Sequence, residues 1–135
     1  MVKNLEWVEI GKVGEIKKLY ENHQLDVKSK EYRILDNDGL YCIYKKDIYP
    51  QIIYLGKASH KNGKALYNRL KAYMSYDETK PKNSHDGGKD MWKMKGHEDF
   101  HIKVCKCDCC EIMESELLSF YKYLHGNYPP ANKQG

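Results

Sequence analysis

No apolar run in the chain approaches the ~20 residues that a membrane-spanning helix requires. The opening stretch MVKNLEWVEIGK lacks an apolar core between a basic head and a small-residue cleavage site, so it does not read as a signal peptide. These two absences predict a cytoplasmic protein without a membrane partner. No segment repeats, and no stretch of linker composition divides the chain, so its 135 residues predict one domain around one core. A paired set of cysteines is missing too. There are five, and four of them crowd into Cys105, Cys107, Cys109 and Cys110. That dense, odd set suits a reducing compartment better than a disulfide scaffold.

Net charge is small, +4, but unevenly placed. Residues 1–56 carry nine Lys/Arg against nine Asp/Glu, residues 57–106 twelve against six, and residues 107–135 two against four. The excess therefore lies in the middle third, as a polyanion-binding face would place it; a solvated lysine-rich surface gives the same count.

Hydrophobic periodicity supplies the elements. LEWVEI alternates briefly, and VGEIKKLYENHQ carries Val13, Ile16, Leu19 and Tyr20 on one helical stripe. GLYCIYKK and IIYLG, separated by the turn-forming YPQ, read as a hairpin. The second run is almost wholly apolar, which predicts a strand covered on both faces. KALYNRLKAYMSY is helical, with Leu66, Leu70, Tyr73 and Met74 on one stripe beside Arg69. A short helix, KDMWKMK, stops at Gly96, and DFHIKVCKC alternates as a third strand. The last helix, CEIMESELLSFYKYLHG, can be capped by Asp108 and ends at Gly126, before the two prolines of NYPPAN. The expected fold is α/β: a small three-stranded, mostly antiparallel sheet flanked by helices over residues 39–135, with residues 1–38 an N-terminal extension packed on it.

Six features follow one another in a familiar order. GLY at 39–41 precedes YLG at 54–56; Arg69 stands on the next helix with Tyr73 four residues on; a short helix ends in glycine before a Phe-led strand; ESELL lies on the last helix; and PPAN follows. In this order the segment 39–132 resembles the GIY-YIG nuclease superfamily. Within it, Lys57 and His60 of KASH resemble an arrangement of restriction-type members. The resemblance implies a metal-dependent endonuclease that hydrolyses phosphodiester bonds of DNA, with RNA left open as a substrate.

It also implies roles. Tyr41 is the candidate general base, with Tyr54 assisting. An unperturbed phenol titrates near pH ~10, so it needs a cation beside it, Lys57 or a metal ion, to act near neutrality. Gly56 would leave room for the phosphate to approach. Arg69 is the phosphate clamp, because a guanidinium pairs bidentately with phosphate oxygens. Tyr73, one turn along, can reach the phosphate or orient Arg69. Glu114 is the metal ligand and Glu116 the second choice; a single carboxylate suits Mg²⁺ or Mn²⁺, which keep water and borrow substrate oxygens. His60 can shuttle a proton or bind phosphate, His85 can touch DNA, and Asn132 is the family asparagine, a nucleic-acid contact.

Two other readings stay open: a non-catalytic nucleic-acid-binding module of the same fold, and a zinc-stabilised domain using the cysteines and His101. Against zinc stands the spacing C-x-C-x-C-C, which lacks two separated pairs; the cysteines also read as small buried hydrophobes. Trp92 reads either as a base-stacking surface or as packing for its short helix. No separate DNA-binding domain is legible, so either residues 1–38 and 75–97 read the substrate, alone or in a homodimer, or a separate partner delivers selectivity, or cutting is weakly selective.

Overall fold

The structure is a computed structural model that describes residues 5–59, 63–75 and 90–132. Its elements are β1 (Val8–Lys12), α1 (Val13–Glu21), β2 (Gly39–Lys45), β3 (Gln51–Ala58), α2 (Ala65–Met74), β4 (His101–Lys106) and α3 (Cys110–His125), with single 3₁₀ turns at Arg33–Asp36 and His97–Asp99. The class is α/β, as expected. The sheet, however, has four strands rather than three, in the order β1-β4-β2-β3, with every pairing antiparallel. The extension thus packs on the rest of the domain by adding a strand to its sheet. The brief alternation of LEWVEI runs into β1, but it ends at Ile10, too short to announce a strand; the register slips between Glu9 and Gly11.

Alternation along β2 divides the core in two. Tyr41 and Ile43, with Val104 and Ile102 of β4 beside them, face α1 and α2. Leu40 and Cys42 face the opposite side, where Cys110 and Leu118 of α3 cover them. On β3 the register shifts between Ile43 and Tyr44, so Ile53 is an extra residue and both Ile53 and Tyr54 enter the larger core. β3 is covered on both faces, as its composition predicts, yet it is an edge strand.

Its free edge is occupied by the chain's end. α3 stops at Gly126, whose φ of +84° is the left-handed cap that a glycine accepts most easily. The tail then returns along β3. The Ala131 N–H donates to the Ile53 carbonyl at 2.9 Å, and the Asn132 side chain both accepts from the Leu55 N–H and donates to the Leu55 carbonyl, each at 2.9 Å. An exposed strand edge invites foreign strands, and this strap blocks part of it. At the other end of α3 the N-cap is Cys109, with no side-chain cap, so Asp108 does not take that role.

Trp92 is a packing residue: its indole N–H donates to the Tyr73 carbonyl at 3.1 Å, and the Lys17 ammonium lies 4.9 Å over the ring. Among the described residues no helix is long and apolar enough to cross a membrane.

Candidate active site

Three phenols meet beside β3. Tyr41 of β2, Tyr54 of β3 and Tyr73 of α2 have ring centroids 5.7 Å apart (Tyr41–Tyr54), 5.9 Å apart (Tyr41–Tyr73) and 4.9 Å apart (Tyr54–Tyr73). Strand register brings the first two together, since Tyr41 pairs with Gly56 and Ile43 with Tyr54. Helical spacing brings the third, on the buried stripe with Leu66 and Leu70.

Gly56 has a different use from the one expected. A Cβ there would stand 2.5 Å from the Tyr41 hydroxyl and 2.7 Å from its Cε1. The space that glycine leaves is filled by the Tyr41 ring and is not open to a phosphate. Tyr41 is 0 % exposed, and its hydroxyl has no hydrogen-bond partner among the described residues. Burial raises its pKa well above the usual phenol value; Tyr54 adds to this, and nearby Arg69 opposes it without prevailing. In the protein alone, desolvation of Tyr41 thus outweighs the lowering by Arg69. Tyr54 is also raised by burial, but Tyr41 and Arg69 pull it down while Glu114 pushes it up. Burial likewise raises Tyr73.

The charged groups gather around these rings from both faces of the sheet. Arg69, exposed on α2, and Lys57, near the end of β3, line one open cleft of ≈ 420 Å³ together with Ser59 and Asn68. Glu114 approaches from α3 and is half-buried. Its carboxyl is raised, first by burial and then by Glu111, against the lowering charges of Lys57 and Arg69. Lys57 itself forms an ion pair with Glu111 at 3.1 Å. That pair is solvent-exposed and contributes little to stability, so its ammonium can be redirected at small cost. Glu116, the second choice, is exposed on α3, whereas Glu114 lies within the field of Tyr54, Lys57 and Arg69.

Among the described residues no three His, Cys, Asp or Glu side chains converge as a metal cage. A lone half-buried carboxylate still fits Mg²⁺ or Mn²⁺, which complete their shells with water and substrate oxygens, and a cation would offset the burial that disfavours its charge. The cysteines do not fit zinc. Cys105 and Cys110 are buried, Cys109 is exposed, and the Cys110 thiol donates to the Cys107 carbonyl at 2.8 Å. Burial pushes the Cys105 thiol up to about 11 and the Cys110 thiol up to about 12, as for small side chains packed in a core. His101 is committed elsewhere, to Glu9 at 2.8 Å.

His60 and His85 lie outside the described residues. Asn132 hydrogen-bonds through both ends of its amide to Leu55, the residue between Tyr54 and Gly56. Its position is that of a brace for the site-bearing strand. Replacing it with alanine strands two part-buried backbone groups and is expected to cost about 1–3 kcal/mol. Thermal unfolding of Asn132→Ala checks this, a melting point equal to wild type being the contrary result. Sequence reasoning missed Ser59 and Asn68, because short neutral side chains in a loop and on an exposed helix face leave no periodic signal.

Searches against protein-family models, curated proteins and solved structures return no match to this chain.

Proposed function

We propose that this chain is a metal-dependent endonuclease of the GIY-YIG type that hydrolyses phosphodiester bonds in DNA. The observation that carries the reading is convergence: Tyr41, Tyr54, Lys57, Arg69, Tyr73 and Glu114 come from two strands and two helices and gather at one edge of the sheet. A core needs no such mixture of phenol, guanidinium, ammonium and half-buried carboxylate.

In this reading the phosphate enters the cleft between Lys57 and Arg69. The guanidinium holds two phosphate oxygens and opposes the charge that grows on them during attack. Lys57 exchanges Glu111 for the anion. Tyr54, protonated at neutral pH because burial raises its pKa, donates to a phosphate oxygen or orients the attacking water. Tyr41 and Tyr73 hold the Tyr54 ring in place. A divalent cation bound at Glu114 would supply further charge for the phosphate and the leaving oxygen. A cytoplasmic location, and a homodimer as the source of selectivity, belong to the same proposal.

One observation favours the second reading, a binding module without activity: the Tyr41 hydroxyl is sealed from solvent. Cleavage of supercoiled plasmid and of DNA and RNA oligonucleotides, with Mg²⁺, Mn²⁺ or EDTA, separates the two. Metal-dependent products support the enzyme; salt-sensitive binding without products under any metal supports the module.

A further inference from the structure

The sheet's other face carries a second cavity, of ≈ 610 Å³, between the tip of the β2–β3 hairpin and the later half of α3. Its walls are aromatic. Tyr49 stands at the hairpin tip, 87 % exposed, and Phe120 of α3 is 62 % exposed, with Tyr121 beside it. Leu55, Leu118 and Trp7 also line it. α3 spends Cys110 and Leu118 on the core, which leaves the Phe120 side uncovered.

Charge narrows the choice of occupant. None of the described residues that line the cavity is Asp or Glu, while Lys103 does line it, its ammonium 5.1 Å over the Trp7 ring. An apolar chamber with ring walls, a cation and no carboxylate complements a flat heteroaromatic group joined to an anion. Position narrows it further. Leu117 and Leu118 lie one helical turn past Glu114, and Leu55 adjoins Tyr54 and Gly56. At a rise of ~1.5 Å per residue, Phe120 and Tyr121 lie roughly 10 Å along α3 from Glu114, about the span of three stacked nucleotides.

We propose that this pocket holds an unstacked base belonging to the same strand whose phosphate occupies the Lys57–Arg69 cleft. The proposal rests on the phosphodiesterase reading above and deepens it: single-stranded, frayed or distorted substrates, which lose least on unstacking, are preferred over regular duplex.

The test is binding in EDTA, where cleavage is suppressed, followed by the same oligonucleotides with Mg²⁺ or Mn²⁺. Short labelled single strands, the matched duplex, and single strands made abasic at each successive position are compared by anisotropy. The difference between wild-type and Trp7→Phe fluorescence reports the pocket itself. The expected result is quenching of Trp7 by single strand, tighter binding of single strand than duplex, and weakening when one particular position is abasic. Tyr49→Ala and Phe120→Ala, both at exposed positions, each weaken single-strand binding about tenfold. Equal binding of intact and abasic strands, unchanged by either variant, overturns the pocket but leaves the nuclease reading standing. Base-dependent quenching without cleavage under any metal supports the pocket and rejects the nuclease. A Trp7 signal that follows protein concentration without nucleic acid assigns the surface to a second copy of the chain and overturns the proposal.

Discussion

Arg69→Ala is expected to lower cleavage by about 10²–10³-fold, the usual cost of removing one preorganised partner of a developing oxyanion, while the protein stays folded. Arg69 is exposed, so its truncation leaves the α2 stripe of Leu66, Leu70 and Tyr73 packed as before. What disappears is charge. Arg69 is among the groups that lower Tyr41, Tyr54 and Glu114. Without it the Glu114 carboxyl rises further, so the acidic limb of the pH–activity profile moves to higher pH; Lys57 remains to limit the shift. Arg69→Lys restores the charge but not the two-pronged geometry, and recovers only part of the activity. Steady-state cleavage rates across pH, beside a melting curve, check each part. Activity within a few-fold of wild type, with an unmoved acidic limb, would mean that Arg69 is a solvated surface residue.

Gly56→Ala carries the largest expected effect on stability. The added methyl meets the Tyr41 ring, which is itself 0 % exposed and in contact with Tyr54 and Tyr73. Overpacking of this kind costs typically about 1–3 kcal/mol, and a ring held on several sides places this site at the upper end. Displacing Tyr41 also disturbs Tyr54, so cleavage falls with stability. The companion variant is Gly56→Ala with Tyr41→Leu, which removes the ring from the methyl's path. Chemical denaturation should find the double variant more stable than the sum of the two single losses, because the substitutions share one contact. Strict additivity would show that the Gly56–Tyr41 contact is not what limits the site.

Much of this arrangement is legible in the sequence. The hairpin, the α2 stripe, β4 and the Gly126 stop announce themselves through periodicity and turn residues. The fourth strand did not, because its alternation stops at Ile10, before Gly11 and Lys12, and is too short to stand out. The candidate site was legible as a set of residue types; the structure places the Tyr41, Tyr54 and Tyr73 rings together, Lys57 and Arg69 on one cleft, and Glu114 within electrostatic reach of Tyr54, Lys57 and Arg69. What spacing does not encode is which face each element covers. Gly56 looked like room for a phosphate, yet cross-strand register gives that room to Tyr41. Asn132 looked like a nucleic-acid contact, yet the turn after Gly126 carries it onto the edge of β3, where its amide has two backbone partners. Burial was equally hidden: residue types do not show that Tyr41 lies fully buried, where desolvation raises its pKa against the lowering by Arg69.

The most direct test of the account is plasmid and oligonucleotide cleavage by wild type, Glu114→Ala and Glu116→Ala, each with Mg²⁺, Mn²⁺ and EDTA. Glu114 is half-buried within electrostatic reach of Tyr54, Lys57 and Arg69, and Glu116 is exposed on the same helix. The account predicts metal-dependent cutting that is abolished in Glu114→Ala and retained in Glu116→Ala, with all three proteins folded. Cutting that survives in Glu114→Ala, or is lost in Glu116→Ala alone, would contradict the assignment of the metal to Glu114, and no cutting by folded wild-type protein under any metal would contradict the nuclease itself.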